Sequence, residues 1–165
     1  MNPAEYAGRS QLSPAYRDRW SGYRYVPRPH EEDYRAMLRY LVFGHPPMVT
    51  LYGVHYMGLV AHSPPFSHLS SVPKIDSFLS ALARFHHALE LAVDPQSAGA
   101  HLGGRRRERY VFTRRGLLSV MAYLAHNLRP DRDQRDRIQD MRIALCRYYL
   151  NRVTTAQDRE VVLQL

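Results

Sequence analysis

Apolar side chains recur at helical spacing in five stretches of the chain. Tyr34, Met37, Leu38 and Leu41 fall on one face of a helix that starts after Pro29 and stops at Gly44. Glu31, Glu32 and Asp33 occupy its first turn, where the helix dipole favours negative charge. Ile75, Phe78, Leu79, Leu82, Phe85, Leu89 and Ala92 mark the clearest helix, from about Pro73 to Val93, with Ser71 expected to cap it. Leu117, Leu118, Val120, Met121, Leu124 and Leu128 give a third, after Thr113 and before Pro130.

A fourth helix begins near Asp131 or Asp133. Acid-before-base pairs, Asp131 with Arg135 and Asp133 with Arg137, are expected to support it, and Ile138, Met141, Leu145 and Tyr148 to form its buried stripe. Thr154 or Thr155 caps a last short helix carrying Val161, Val162 and Leu165. Each amphipathic stripe needs a facing partner to leave water. The predicted fold is therefore mainly α: a compact bundle of four to five helices over residues 29–165, preceded by an extended arm over residues 1–28.

One segment resists this reading. Residues 48–61 form an apolar run rich in β-branched and aromatic residues, interrupted by Gly53 and Gly58. Periodicity does not separate a strand from a buried helix in so short a run. A helix is favoured slightly over a hairpin, because an isolated strand pair is only marginally stable. The run is also too short to span a bilayer, which takes about 20 apolar residues, so a soluble protein without a transmembrane segment is expected.

Charge changes the picture more than composition does. The chain of 165 residues carries 23 Lys and Arg against 15 Asp and Glu, a net charge of +8 and a pI near 9.9. That balance favours polyanionic partners. Lys74 is the sole lysine. Arginine's planar fork suits phosphate and aromatic stacking, but a GC-rich genome produces the same bias and is the preferred explanation. A compact viral genome would fit as well. Cys146 stands alone, so no intrachain disulfide or cysteine-based zinc site forms, and a reducing intracellular setting, cytoplasmic or nuclear, is expected.

The basic residues concentrate in two places. Arg105, Arg106, Arg107, Arg109, Arg114 and Arg115 lie within eleven residues, running from a Gly-rich loop to a predicted helix N-terminus. Guanidinium groups and unpaired backbone N–H groups there suit a phosphate. The same run resembles a nuclear-import signal, and its bland alternative is a solvated loop. In the arm, Arg17, Arg19, Trp20, Tyr23, Arg24 and Tyr25 interleave rings that stack on bases with cations that contact phosphate. Tyr and Arg also serve protein interfaces, and the arm's rings would equally pack back onto the bundle.

Other chemistry is thinly represented. The sequence lacks a phosphate-binding P-loop, a dinucleotide fingerprint, a nucleophile elbow and an HExxH motif. Nine histidines are scattered without helical metal-ligand spacing; adjacent His86 and His87 point about 100° apart on a helix. They read as core-edge or surface residues, with a zinc site assembled across elements as the rarer alternative. Cys146 reads as a packed residue of the fourth helix. The alternating C-terminal Val162-Leu163-Gln164-Leu165 offers strand addition to a partner as a minor alternative.

Two functions follow as expectations. The first is a non-enzymatic nucleic-acid-binding protein, without a cofactor, using the two basic segments. The second is a protein–protein adaptor, such as a viral accessory protein engaging a host factor through its Tyr/Arg-rich arm. A metal-dependent enzyme built on the scattered histidines is a third.

Overall fold

The computed structural model describes residues 28–51, 54–94, 97, 102–103 and 110–165. It is helix-rich, with α1 over Glu31–Phe43, α2 over Ile75–Val93, α3 over Arg114–Asn127, α4 over Gln134–Tyr148 and α5 over Ala156–Gln164. Short 3-10 turns at Ser67–Ser71 and Leu150–Arg152 lead into α2 and α5. Among the described residues, no helix is long and apolar enough to cross a membrane.

The helices form where the apolar spacing puts them, and their ends follow local chemistry. Asp33 accepts the backbone N–H of His30 at 2.8 Å and closes the start of α1. Gly44 ends α1 in the left-handed conformation, φ 73°, which glycine adopts without a Cβ penalty. Asp133 and Thr155 cap α4 and α5 by accepting the N–H groups of Asp136 and Asp158. Ser71 does not cap α2 as expected. It lies in the preceding 3-10 turn and donates to the His68 carbonyl, while Lys74 takes the cap position at φ 62°.

Helices α1 and α2 run antiparallel, with contacts stepping in opposite directions along the chain: Arg28 to Asp94, Tyr34 to Glu90 and Arg39 to Asp76. Leu38, Val42, Leu79, Leu82, Leu89, Leu117, Val120, Met121, Leu124 and Tyr149 lie in one buried cluster. Burial of such side chains is worth roughly 1.5–3 kcal/mol each and is the main force joining the helices.

Four further expectations are corrected. Residues 48–61 are not a helix: Met48–Leu51 (β1) and Val54–Met57 (β2) form an antiparallel hairpin with Met48 opposite Met57. At its neck Gly58 donates to the Pro47 carbonyl at 2.8 Å, and a Cβ on Gly58 would meet the Pro47 ring at the same distance. On α4, Met141, Leu145 and Tyr148 pack half-buried against the core as the stripe predicts, but Ile138 stays 46 % exposed, and the most buried positions are Ala144 and Asp140. The neighbouring acids and bases also pair differently. Asp133 is used as a cap, Arg137 donates to the Pro130 and Arg132 carbonyls, and Arg132 pairs with Asp140 at 3.1 Å. Finally, Cys146 is exposed, not packed. The last short helix forms as expected, capped by Thr155, and the minor alternative of an extended tail gives way to helix through Gln164.

Candidate polyanion-binding face

Arg114 and Arg115 open α3. Both are exposed, the first turn holds no acidic residue, and Thr113 makes no side-chain cap. The other four α-helices described each carry an acid in their first turn. The positive end of the α3 dipole is thus left beside two cations rather than neutralised.

Two further arginines join them from distant parts of the chain. The Arg152 guanidinium reaches the first turn of α3, 3.8 Å from where a Cβ on Gly116 would stand. Arg28 pairs with Asp94 at 2.6 Å, and both Arg28 and Arg114 act electrostatically on the Tyr34 hydroxyl. Arg152 thus lies beside the start of α3, and Arg28 and Arg114 are both near enough to Tyr34 to act on its hydroxyl. Arg28 is the last residue of the aromatic–arginine arm read from the sequence, whereas Arg152 stands in no recognisable pattern and is brought in by tertiary structure alone.

Arg105, Arg106, Arg107 and Arg109 lie outside the described residues, but the residues flanking them do not. Leu102 is buried and its N–H bonds to the Ala92 carbonyl at the end of α2. Gly103 donates to Asp158 Oδ1 at 3.3 Å, and the Tyr110 hydroxyl donates to Asp158 Oδ2 at 3.0 Å. Asp158 thus holds both flanks of the arginine run against the start of α5. The arm residues Arg17, Arg19, Trp20, Tyr23, Arg24 and Tyr25 also lie outside the described residues.

A buried polar network lies behind this face. The Tyr34 hydroxyl lies 2.8 Å from both carboxylate oxygens of Glu90, and His86 Nδ1 lies 2.9 Å from the Tyr149 hydroxyl. His86 Nε2 points to Glu90 Oε1 at 3.7 Å, beyond hydrogen-bond reach. With the proton on Nε2, Nδ1 accepts the Tyr149 hydroxyl. Burial, reinforced by charge on His87, pushes His86 down to about 4, so it is neutral at neutral pH. Burial raises Glu90, against the opposing pull of the Tyr34 hydrogen bond. Burial also raises both tyrosines.

This network joins α1, α2 and the end of α4 through groups that need one another once out of water. Sequence reading placed His86 at the core edge or surface. It is in fact fully buried, and the available signal was its register on α2 with Leu79, Leu82, Ala83 and Leu89. Among the described residues no three His, Cys, Asp or Glu side chains are grouped to hold a metal ion.

No family model, curated protein or solved structure matches the chain.

Proposed function

We propose that the protein is a non-enzymatic polyanion binder, with nucleic acid as its ligand and the α3 start as part of its contact surface. The observation that carries the reading is the exposed Arg114–Arg115 pair on an uncapped, acid-free helix start, with Arg152 alongside. Net charge +8 supports it, and so does an arginine run whose flanks are held by Asp158. Guanidinium groups fork onto phosphate oxygens, and helix-start N–H groups add donors of the same polarity. Such contacts are indifferent to base identity, so they position a nucleic acid without reading its sequence.

The test is fluorescence anisotropy of a labelled duplex and a labelled single strand across a salt series. Affinity should fall linearly on a log–log plot, with a slope near −0.9 per duplex phosphate neutralised. Weak binding at low salt with no salt dependence would remove the proposal. Heparin competing on equal terms per charge would make the ligand a polyanion in general rather than nucleic acid.

A further inference from the structure

The hairpin is placed outside the apolar cluster that organises the helices. Every described side chain of β2 is exposed, so both of its faces meet solvent. Met48 is 75 % exposed, Met57 74 % and Leu59 87 %; Val54, Tyr56 and Val60 are each more than half exposed. At about 100 Å² for a fully buried apolar side chain, these six amount to several hundred Å² per chain. That is within the range of the largest apolar patches a monomer carries and about half of the roughly 800 Å² each partner contributes to a stable interface, so backbone pairing has to supply the rest.

The backbone narrows the choice of what covers this patch. The Gly58–Pro47 hydrogen bond makes that pair a bonded one in the antiparallel alternation. The next pair, Met48 opposite Met57, is then non-bonded, and the N–H and C=O of Met57 point away from β1. An acyl environment would cover the side chains but leave such edge groups unsatisfied. A strand satisfies them. The two edges are not equivalent, because β1 is preceded by Pro46, which has no N–H to offer on its outer edge, whereas β2 continues into Gly58 and Leu59.

Residues 48–61 contain no Asp, Glu, Lys or Arg, the side chains that usually guard a free edge against pairing with its own kind. In a chain of net charge +8, this uncharged stretch is where two copies approach with least local repulsion. A two-stranded sheet is marginal alone, and three or more strands with an apolar face are stable. Antiparallel pairing of β2 with its own copy about a two-fold axis is closed and self-complementary.

From these observations we infer that a second copy of this chain docks along the outer edge of β2, joining two hairpins into a four-stranded antiparallel sheet. The dimer sets Met57 of the two copies opposite one another near the axis, where apolar cross-strand pairs stabilise a sheet.

Sedimentation velocity of the full chain over a micromolar concentration series tests this. Wild type should dimerise reversibly. Met57→Lys sets two ammonium groups near the axis, and Met57→Pro removes the outward donor; each should weaken the dimer by about tenfold or more. Met48→Lys, on the other edge, should shift it by less than about threefold. Helical circular dichroism should be unchanged in all three, since the hairpin lies outside the core. Rising salt should tighten the dimer by screening like charges, the opposite of its effect on polyanion binding, so either proposal can fail alone. A wild type that stays monomeric throughout, or monomers that sediment with anionic vesicles, would overturn the inference. So would a dimer that both Met57 variants leave intact.

Discussion

The Tyr34 hydroxyl sits in the fork of the Glu90 carboxylate, 2.8 Å from each oxygen, and ties α1 to α2 across 56 residues of chain. Glu90 has no other described hydrogen-bond donor within reach, since His86 Nε2 stops at 3.7 Å. Tyr34→Phe leaves a largely buried carboxylate without that donor and should cost about 1–3 kcal/mol in urea unfolding. In the Glu90→Gln background the same change should cost less, because the partner left behind is neutral. Equal costs in the two backgrounds would show that the pair is not coupled.

Acid should destabilise the protein through His86. Its native value of about 4 lies below the ordinary 6.5, so between these limits the unfolded chain holds the extra proton. Stability is then full above pH 6.5 and falls as pH drops toward 4, by at most about 3 kcal/mol. Glu90 acts in the opposite sense. Its raised value lets the native state take up a proton before the unfolded chain does, which adds stability as pH falls. Glu90→Gln removes that offset, so stability measured across pH 7 to 4 should fall more steeply than in wild type.

Arg114 and Arg115 oppose folding locally while favouring binding. Two cations at the positive end of α3 are unfavourable by a few tenths of a kcal/mol each. The Arg114→Ala/Arg115→Ala double variant should therefore be about 0.5–1 kcal/mol more stable. It should also bind duplex more weakly, with a salt slope smaller by about 2. Thermal unfolding and anisotropy on the same preparation check both signs. A stabilised variant with an unchanged slope would place the phosphate contacts elsewhere.

Gly44 controls where the hairpin leaves α1. Its φ of 73° and the Ala61 carbonyl oxygen, 2.5 Å from where a Cβ would stand, leave no room for a side chain. Gly44→Ala should cost about 1–2 kcal/mol for the left-handed backbone alone, with more from the displaced carbonyl. Hydrogen exchange should show faster opening at Ala61, whose N–H bonds to the Gly44 carbonyl, than at the α2 amides.

Much of the scaffold was legible along the chain, because helices that bury one face must repeat apolar residues at helical spacing. Tyr34 and Leu38, or Leu79, Leu82 and Leu89, carry that signature and are buried as it predicts, while on the first helix Val42 takes the buried place expected of Leu41. The hairpin was not legible for the complementary reason. A strand pair whose two faces meet the same surroundings need not alternate apolar with polar, so the run from Met48 resembles any short apolar segment. On α4, Ile138 matches the spacing but not the side that packs: Asp140 turns inward to meet Arg132, and Ala144 fits where a larger residue would not be needed.

The candidate site was legible only where it is local. Arg114 and Arg115 follow from a basic run meeting a helix start. Arg152 and Asp158 depend on how α5 and the turn before it lie against the rest, which no spacing encodes. His86 was visible as a residue in an apolar register, yet its partners Tyr149 and Glu90 become partners only after α4 closes on α2.

The clasp at Asp158 holds the two described residues that flank the arginine run. Gly103 and Tyr110 meet the same carboxylate, and the Tyr110 ring lies 3.2 Å from where a Cβ on Gly103 would stand. The helices thus see a fixed pair of posts, whatever chain is strung between them. Doubling the length of such a segment costs only about 0.6 kcal/mol in closure entropy. A change in the length of that span should therefore cost the bundle little, so its length is set by something other than the stability of the helices.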